Sequence, residues 1–218
     1  MTQSVSATLV KELREKTGVG MMDCKRALSE CSGDLDSAVR VLREKGLASA
    51  KKRQSKTAEQ GVIESYNHIG KQIGVLVEIN CETDFVARNE EFLELAHEVA
   101  LHVAACDPKY LDRGSVPSDE IERQRQAIEA DREFLARRHK ADSREAWSAV
   151  VDTLIDKYYQ DHCLLEQPFV RDASISVGEL VTGASARLGE KLLVRRFERF
   201  QVAREQGEEQ DEEERRET

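Results

Sequence analysis

The densest run of chemically useful side chains is Glu78-Ile79-Asn80-Cys81-Glu82-Thr83-Asp84-Phe85-Val86-Ala87-Arg88, where an apolar strand pattern meets a polar turn carrying an aromatic. Ile73 to Ile79 is apolar and β-branched, as a half-buried strand should be, and Asn89-Glu90-Glu91 reads as a helix start. A large aromatic at such a strand-to-helix turn, beside Asp84, is placed to enter a partner. Spacing alone equally allows Phe85 to tuck beneath the following helix as core.

Other combinations offer little chemistry. Gly18-Val19-Gly20 lacks the following Lys-Ser/Thr that a phosphate loop requires. No His stands beside a nucleophile in a Ser/His/Asp or Cys/His motif, so no catalytic residue is expected. His97 and His102 are five apart on a predicted helix, which puts them on different faces and argues against a shared metal. The five cysteines, at 24, 31, 81, 106 and 163, form no CxxC pair and read as reduced thiols in a reducing cytosol. Neither a metal nor a cofactor is expected.

The elements that must position the turn follow from periodicity. Helices are predicted over Ser6 to Lys16, Met22 to Cys31 and Leu35 to Lys45, with apolar stripes at Leu9, Val10 and Leu13, at Ala27, Leu28 and Cys31, and at Leu35, Ala38, Val39 and Leu42. Gly18-Val19-Gly20 and Ser32-Gly33-Asp34 separate them, Asp34 reads as an N-cap, and Gly46 occupies the place of a left-handed C-cap. The Thr-Gly-Val-Gly-Met loop is similar to that of ubiquitin-associated-like domains, which are docking modules. Residues 47–60 read as a linker or exposed helix extension. Its basic run Lys51-Lys52-Arg53 has no aromatic interleaved for base stacking.

From Gly61 the pattern turns to strands, Val62 to Tyr66 and Ile73 to Asn80, joined by a turn at Asn67-His68-Ile69-Gly70-Lys71. A helix from Asn89 to Cys106 ends at Asp107-Pro108. Two highly charged helical stretches, about Ser118 to Arg138 and Ser143 to Tyr159, carry the sparse apolar positions of an antiparallel helical hairpin spanning about 118–160. A strand-like Phe169-Val170, a helix from Val177 to Arg187, a turn at Gly189 and a strand from Lys191 to Val202 complete the core, taken as 61–203. The expected class is α+β: a three-helix bundle over 1–46, then a small antiparallel sheet of about three strands packed with helices and a protruding helical hairpin.

At 218 residues and 39% hydrophobic content the chain can build such cores. Its net charge of −9 argues against a general nucleic-acid binder, although residues 205–218, with eight acidic and two basic side chains, hold −6 of it and leave −3 for the body. That acidic tail reads as a disordered, solvating segment. No window approaches a membrane span. The mixed charges of Lys11, Glu12, Arg14 and Glu15 do not resemble an organelle transit segment, so a bacterial cytoplasmic location is expected.

Two strings together resemble the bacterial translation elongation factor Ts family: Glu78 to Arg88, and Leu13-Arg14-Glu15-Lys16-Thr17-Gly18-Val19-Gly20-Met21-Met22-Asp23-Cys24-Lys25-Arg26-Ala27-Leu28. Weaker similarity continues through Leu165 to Val170 and Leu193 to Phe197. The resemblance implies an exchange factor that binds the GTPase elongation factor Tu and speeds its loss of GDP. It implies that Thr83, Asp84, Phe85 and Val86 form the part that dislodges the partner's Mg²⁺, and that Lys11, Arg14, Met21 and Met22 dock on the GTPase domain. One of the two methionines is expected in the bundle core. Longer members carry two related core halves and this chain shows one, so a homodimer is expected, as in the short-form members. Val151-Asp152-Thr153-Leu154 departs from the Gly-Arg pair usual in the hairpin of those relatives. A different reading, an adaptor for ubiquitin-like or RNA partners recognised by the bundle alone, would leave Phe85 without a role.

Overall fold

The structure, a computed structural model, describes residues 5–53 and 55–202, apart from the side chains at 47 and 49–52. The acidic segment 204–218 and the side chains of Lys51 and Lys52 therefore lie outside the described residues.

Three amphipathic helices, α1 (Ala7–Thr17), α2 (Met21–Glu30) and α3 (Leu35–Arg53), close on a small core of Val10, Leu13, Cys24, Ala27, Leu28, Ala38 and Leu42. Their ends are capped by local chemistry. The Ser6 side chain accepts from the Thr8 N–H, Gly18 turns left-handed after α1, and the Asp34 carboxylate accepts from the Ser37 N–H at 2.7 Å to start α3.

The expected stop at Gly46 is absent, and α3 continues to Arg53. Glycine serves a different purpose there: a Cβ at 46 would stand 3.1 Å from the Ala186 Cβ, so its absence lets α3 approach the core helix α9 (Val177–Leu188). The Arg43 guanidinium donates to Glu179 at 2.7 Å beside this contact.

The main core rests on an antiparallel sheet ordered β1-β2-β5, built from β1 (Gln60–Asn67), β2 (Ile73–Cys81) and β5 (Leu193–Gln201). Alternation along β2 turns Val75, Val77, Ile79 and Cys81 inward, against Phe92, Ala96, Val99 and Val103 of α5 (Glu90–Cys106). The Asn89 side chain caps α5, and Asp107 ends it in the left-handed region at φ 47°.

Beyond α5 the chain rises into the helical hairpin of α6 (Ser118–Ala130), α7 (Arg132–His139) and α8 (Arg144–His162). The first arm, expected to be continuous to Arg138, is interrupted at Asp131. Trp147 is folded into the seam, donating its indole N–H to Glu129 at 2.9 Å beneath the Arg132 guanidinium. At the base, Arg113 grips Glu166 with two hydrogen bonds of 2.9 Å and Asp156 with one of 2.6 Å.

The strand-like Phe169-Val170 opens a two-stranded hairpin, β3 (Pro168–Phe169) with β4 (Asp172–Ser176), whose second strand was not anticipated from the sequence and has Ile175 as its one large apolar residue. It leads into α9 (Val177–Leu188), opened by a capping box between Ser176 and Glu179 and closed by Gly189 at φ 76°. No helix among the described residues is long and apolar enough to cross a membrane.

Candidate functional site: the turn after the central strand

The turn grows from the end of β2. Cys81 closes the strand, Thr83 is extended at φ −125°, and Asp84–Ala87 form a single helical turn, α4, before α5 begins. The Thr83 hydroxyl caps α4 by accepting from the Val86 N–H at 3.3 Å. This cap orients the two residues at its centre in opposite directions: Val86 enters the main core, and the Phe85 ring stands 79% exposed. The core placement open to Phe85 on spacing alone is thus excluded. Asp84 is exposed and pairs with Arg88 at 3.3 Å.

The backbone of the turn is held from a distant part of the chain. One Glu190 oxygen accepts from the Glu82 and Thr83 N–H groups at 3.0 and 3.1 Å, and the other accepts from the Thr83 hydroxyl at 2.6 Å. Glu82 answers from the opposite side, accepting from the Lys191 N–H at 2.6 Å and from the Lys56 ammonium at 2.7 Å. The Lys56 carbonyl in turn accepts from the Lys191 ammonium at 2.8 Å. The Lys56 and Lys191 donors hold the Glu82 carboxyl below its ordinary pKa, so it remains an anion. Burial raises the pKa of the neighbouring Cys81, assisted by the Glu190 charge, and its thiol donates to the Thr83 carbonyl. Cys81 is a protonated structural thiol.

The second group of expected residues lies on the bundle. Lys11 and Arg14 are exposed on α1, Lys11 within 3.8 Å of Glu15. Met21 and Met22 are 53% and 71% exposed, so the expectation that one of them is core is not met. Cys24, Ala27 and Leu28 fill the inward stripe of α2, and the methionines occupy the first turn ahead of it, where the chain enters from Gly20. Arg187 of α9 connects the bundle with the neighbourhood of the turn. Its side chain lies directly against Gly18 and donates to Glu91 in the first turn of α5.

The histidines lie apart from this site. His97 contacts Glu64 at 3.1 Å on the surface, whereas His102 is buried and bonded to Gln167 at 2.9 Å and to the Val170 N–H at 3.1 Å. No group of three or more His, Cys, Asp or Glu able to hold a metal occurs among the described residues. Sequence reasoning missed Glu190, Lys56 and Lys191. The only local signal was a carboxylate directly after the helix-ending Gly189, and nothing in its spacing says that it reaches back to residue 83.

The turn thus presents an exposed aromatic on a braced backbone, and the bundle presents two exposed methionines. The chain matches the family model described as Elongation factor TS over residues 3–204. It is 48% identical over 202 residues to Elongation factor Ts of Herpetosiphon aurantiacus, covering 91% of this chain and 98% of that protein. With Elongation factor Ts of Methylacidiphilum infernorum it shares 48% identity over 205 residues, 94% of this chain and 98% of the relative. The same-named protein of Synechococcus sp. is 50% identical over 198 residues, 90% of this chain and 68% of its own length. The chain belongs to the elongation factor Ts family of translation elongation factors.

Proposed function

We propose that this protein is a guanine nucleotide exchange factor for elongation factor Tu in a bacterial cytoplasm. It binds the GDP-bound partner and promotes GDP release by disturbing the partner's Mg²⁺ and phosphate site. The observation that carries the reading is the Phe85 ring, 79% exposed at the tip of a turn whose adjacent backbone is fixed. An aromatic held in water has no folding benefit to explain it, and entry into a partner supplies one.

The physics is linkage. If this protein weakens GDP binding by some factor, GDP weakens binding of this protein by the same factor, so the partner must have two states that the two ligands prefer differently. A GTPase neutralises the phosphate charge of its nucleotide with Mg²⁺, which makes that site an efficient lever. Phe85 provides the wedge, Asp84 the charge beside it, Thr83 the cap that aims it and Val86 the anchor beneath it.

Magnitudes show that the wedge needs help. Burying one Phe contributes about 1.5–3 kcal/mol, whereas turning a preference of 1:99 into 99:1 requires about 5.5 kcal/mol. Docking by Lys11, Arg14, Met21 and Met22 supplies part of the difference. The two exposed methionine side chains suit this role because the flexible thioether adapts to a partner's surface.

A second copy supplies a further part. On the sheet face opposite α5, Ile63, Leu76 and Phe200 are 67%, 47% and 68% exposed, and Phe200 lies across from Gly74. Pairing of two chains through this face would remove the apolar patch from water and double the surface offered to the GTPase. Phe200→Glu is expected to give a monomer in analytical ultracentrifugation; a wild-type monomer with full activity at micromolar concentration would sink the dimer.

The decisive experiment is release of a fluorescent GDP analogue from elongation factor Tu, by wild type and by Phe85→Ala, at low and high Mg²⁺. Strong acceleration by wild type that largely disappears in the variant supports the wedge. No acceleration by folded wild type refutes the exchange activity.

A further inference from the structure

We propose that Glu190 is a positioning residue for nucleotide exchange: its carboxylate fixes the backbone at Glu82 and Thr83 and thereby the direction in which Phe85 leaves the surface. This role rests on the exchange-factor reading and deepens it.

The turn cannot hold its own shape. α4 has four residues, too few for helical hydrogen bonding to offset the cost of nucleation. An exposed Phe also gains by lying down on nearby apolar surface, so a projecting ring requires a backbone fixed by something else. Glu190 supplies that constraint through three hydrogen bonds, to the N–H groups of Glu82 and Thr83 and to the Thr83 hydroxyl. All three have an ionised acceptor, which makes them stronger than neutral bonds.

The hydroxyl acts as a relay. By donating to Glu190, Thr83 Oγ1 turns a lone pair toward the Val86 N–H, so the constraint passes into α4 at the residue next to Phe85. The carboxylate is itself anchored. Gly189 ends α9 in the left-handed region, the Ser185 hydroxyl donates to the Glu190 carbonyl, and Glu82 accepts from the Lys191 N–H. Residues 82–83 and 190–191 therefore fix one another, each through the other's backbone.

A carboxylate suits the task because it accepts at two oxygens and donates at none. Glutamine keeps one oxygen for the two N–H groups but turns an amide donor toward Thr83. Alanine leaves both N–H groups without this acceptor.

The test uses full-length E190A, E190Q, F85A and the E190A/F85A double variant, with elongation factor Tu carrying a fluorescent GDP analogue. For E190A the maximal release rate is expected to fall roughly ten- to a hundredfold, in keeping with the cost of misplacing a reacting group by about an ångström. The half-saturating concentration should change little, because the bundle still docks. E190Q should recover most of the rate. The double variant should be no slower than F85A, since a residue acting through Phe85 has nothing left to position. Amide hydrogen exchange at Glu82, Thr83 and Val86 should quicken in E190A while the main core stays protected.

Additive losses in the double variant, a weakened half-saturation with an unchanged maximal rate, or unchanged exchange at those amides would each overturn the role. If E190A does not fold, Thr83→Val, which removes the hydroxyl between Glu190 and the Val86 N–H, decides the matter: the same rate split and faster exchange at Val86 are expected, and a wild-type rate would overturn the role. The two levels remain distinguishable. Faster amide exchange in E190A alongside wild type that never accelerates GDP release would establish the clamp, while the exchange-factor reading and this role would both fall.

Discussion

Phe85 and Val86 are neighbours in sequence and opposites in environment, 79% and 6% exposed, with the Thr83 cap bonded to the Val86 amide. The proposed function and the folding are therefore separable within one helical turn. Phe85→Ala is expected to change the unfolding free energy by less than about 0.5 kcal/mol, as exposed substitutions do. Val86→Ala should cost about 1.5 kcal/mol for two lost methyl equivalents at ~0.8 kcal/mol each. Urea titrations of the two variants check this, and an equal loss in Phe85→Ala would place that ring in the core.

Stability should respond to pH through His102. The imidazole accepts the Val170 N–H at Nδ1, so its proton lies on Nε2 and is donated to the Gln167 side-chain oxygen. Burial pushes its pKa below the ordinary value. The unfolded chain then binds a proton first as pH falls, so the contribution is complete above about pH 6.5 and declines below that toward the folded pKa. The urea midpoint of wild type should drop between pH 7.5 and 5.5 by more than that of His102→Asn. Parallel curves would rule the effect out.

The helical hairpin should open before the rest of the molecule. Among its described residues only Trp147 and Ile155 are buried, against a nearly continuous buried stripe along α5. Sparse burial places a segment at the low end of local stability. Trp147 is the single tryptophan of the chain, so its fluorescence reports this segment alone. Its urea midpoint is expected below that of far-ultraviolet circular dichroism; coincident transitions would show the hairpin to be part of one cooperative unit.

The contact between α3 and α9 should not accept a side chain at residue 46. A Cβ there already meets Ala186 at 3.1 Å, so Gly46→Leu must push the helices apart despite leucine's better helix propensity. The variant should keep its helical content, lose amide protection in α9 and exchange nucleotide more slowly. Unchanged protection would mean that the approach is not tight.

Much of this architecture was legible because it is written locally. The alternation from Val75 to Ile79, the cap residues Asp34 and Asn89 and the glycine after Leu188 each mark an element within a few residues of itself. What stayed hidden depends on partners far along the chain. Glycine after a helical run reads as a stop, and only Ala186, 140 positions later, shows Gly46 to be a point of approach. Met21 and Met22 look like core because apolar side chains usually are, and the small core beneath them was already filled by Cys24, Ala27 and Leu28. The break at Asp131 stands beside Trp147 of the opposite arm, which bonds Glu129 of α6 and lies under Arg132 of α7. At the candidate site the turn and its aromatic were visible, whereas the carboxylate that braces it belongs to the turn between α9 and β5, 107 residues on from Thr83.

One further consequence concerns mechanics. The turn emerges from β2, the middle strand of three, laddered to β1 from Gln60 to Asn67 and to β5 from Leu193 to Gln201. In the proposed role, a ring pressed into a partner would meet recoil, and the chain behind Phe85 leads back into β2. Both ladders take that load in shear, with many hydrogen bonds sharing it at once instead of parting one after another. An edge strand would share it with one neighbour only. The sheet thus stands as an anvil behind the turn, and the central place of β2 adds stiffness to the bracing by Glu190.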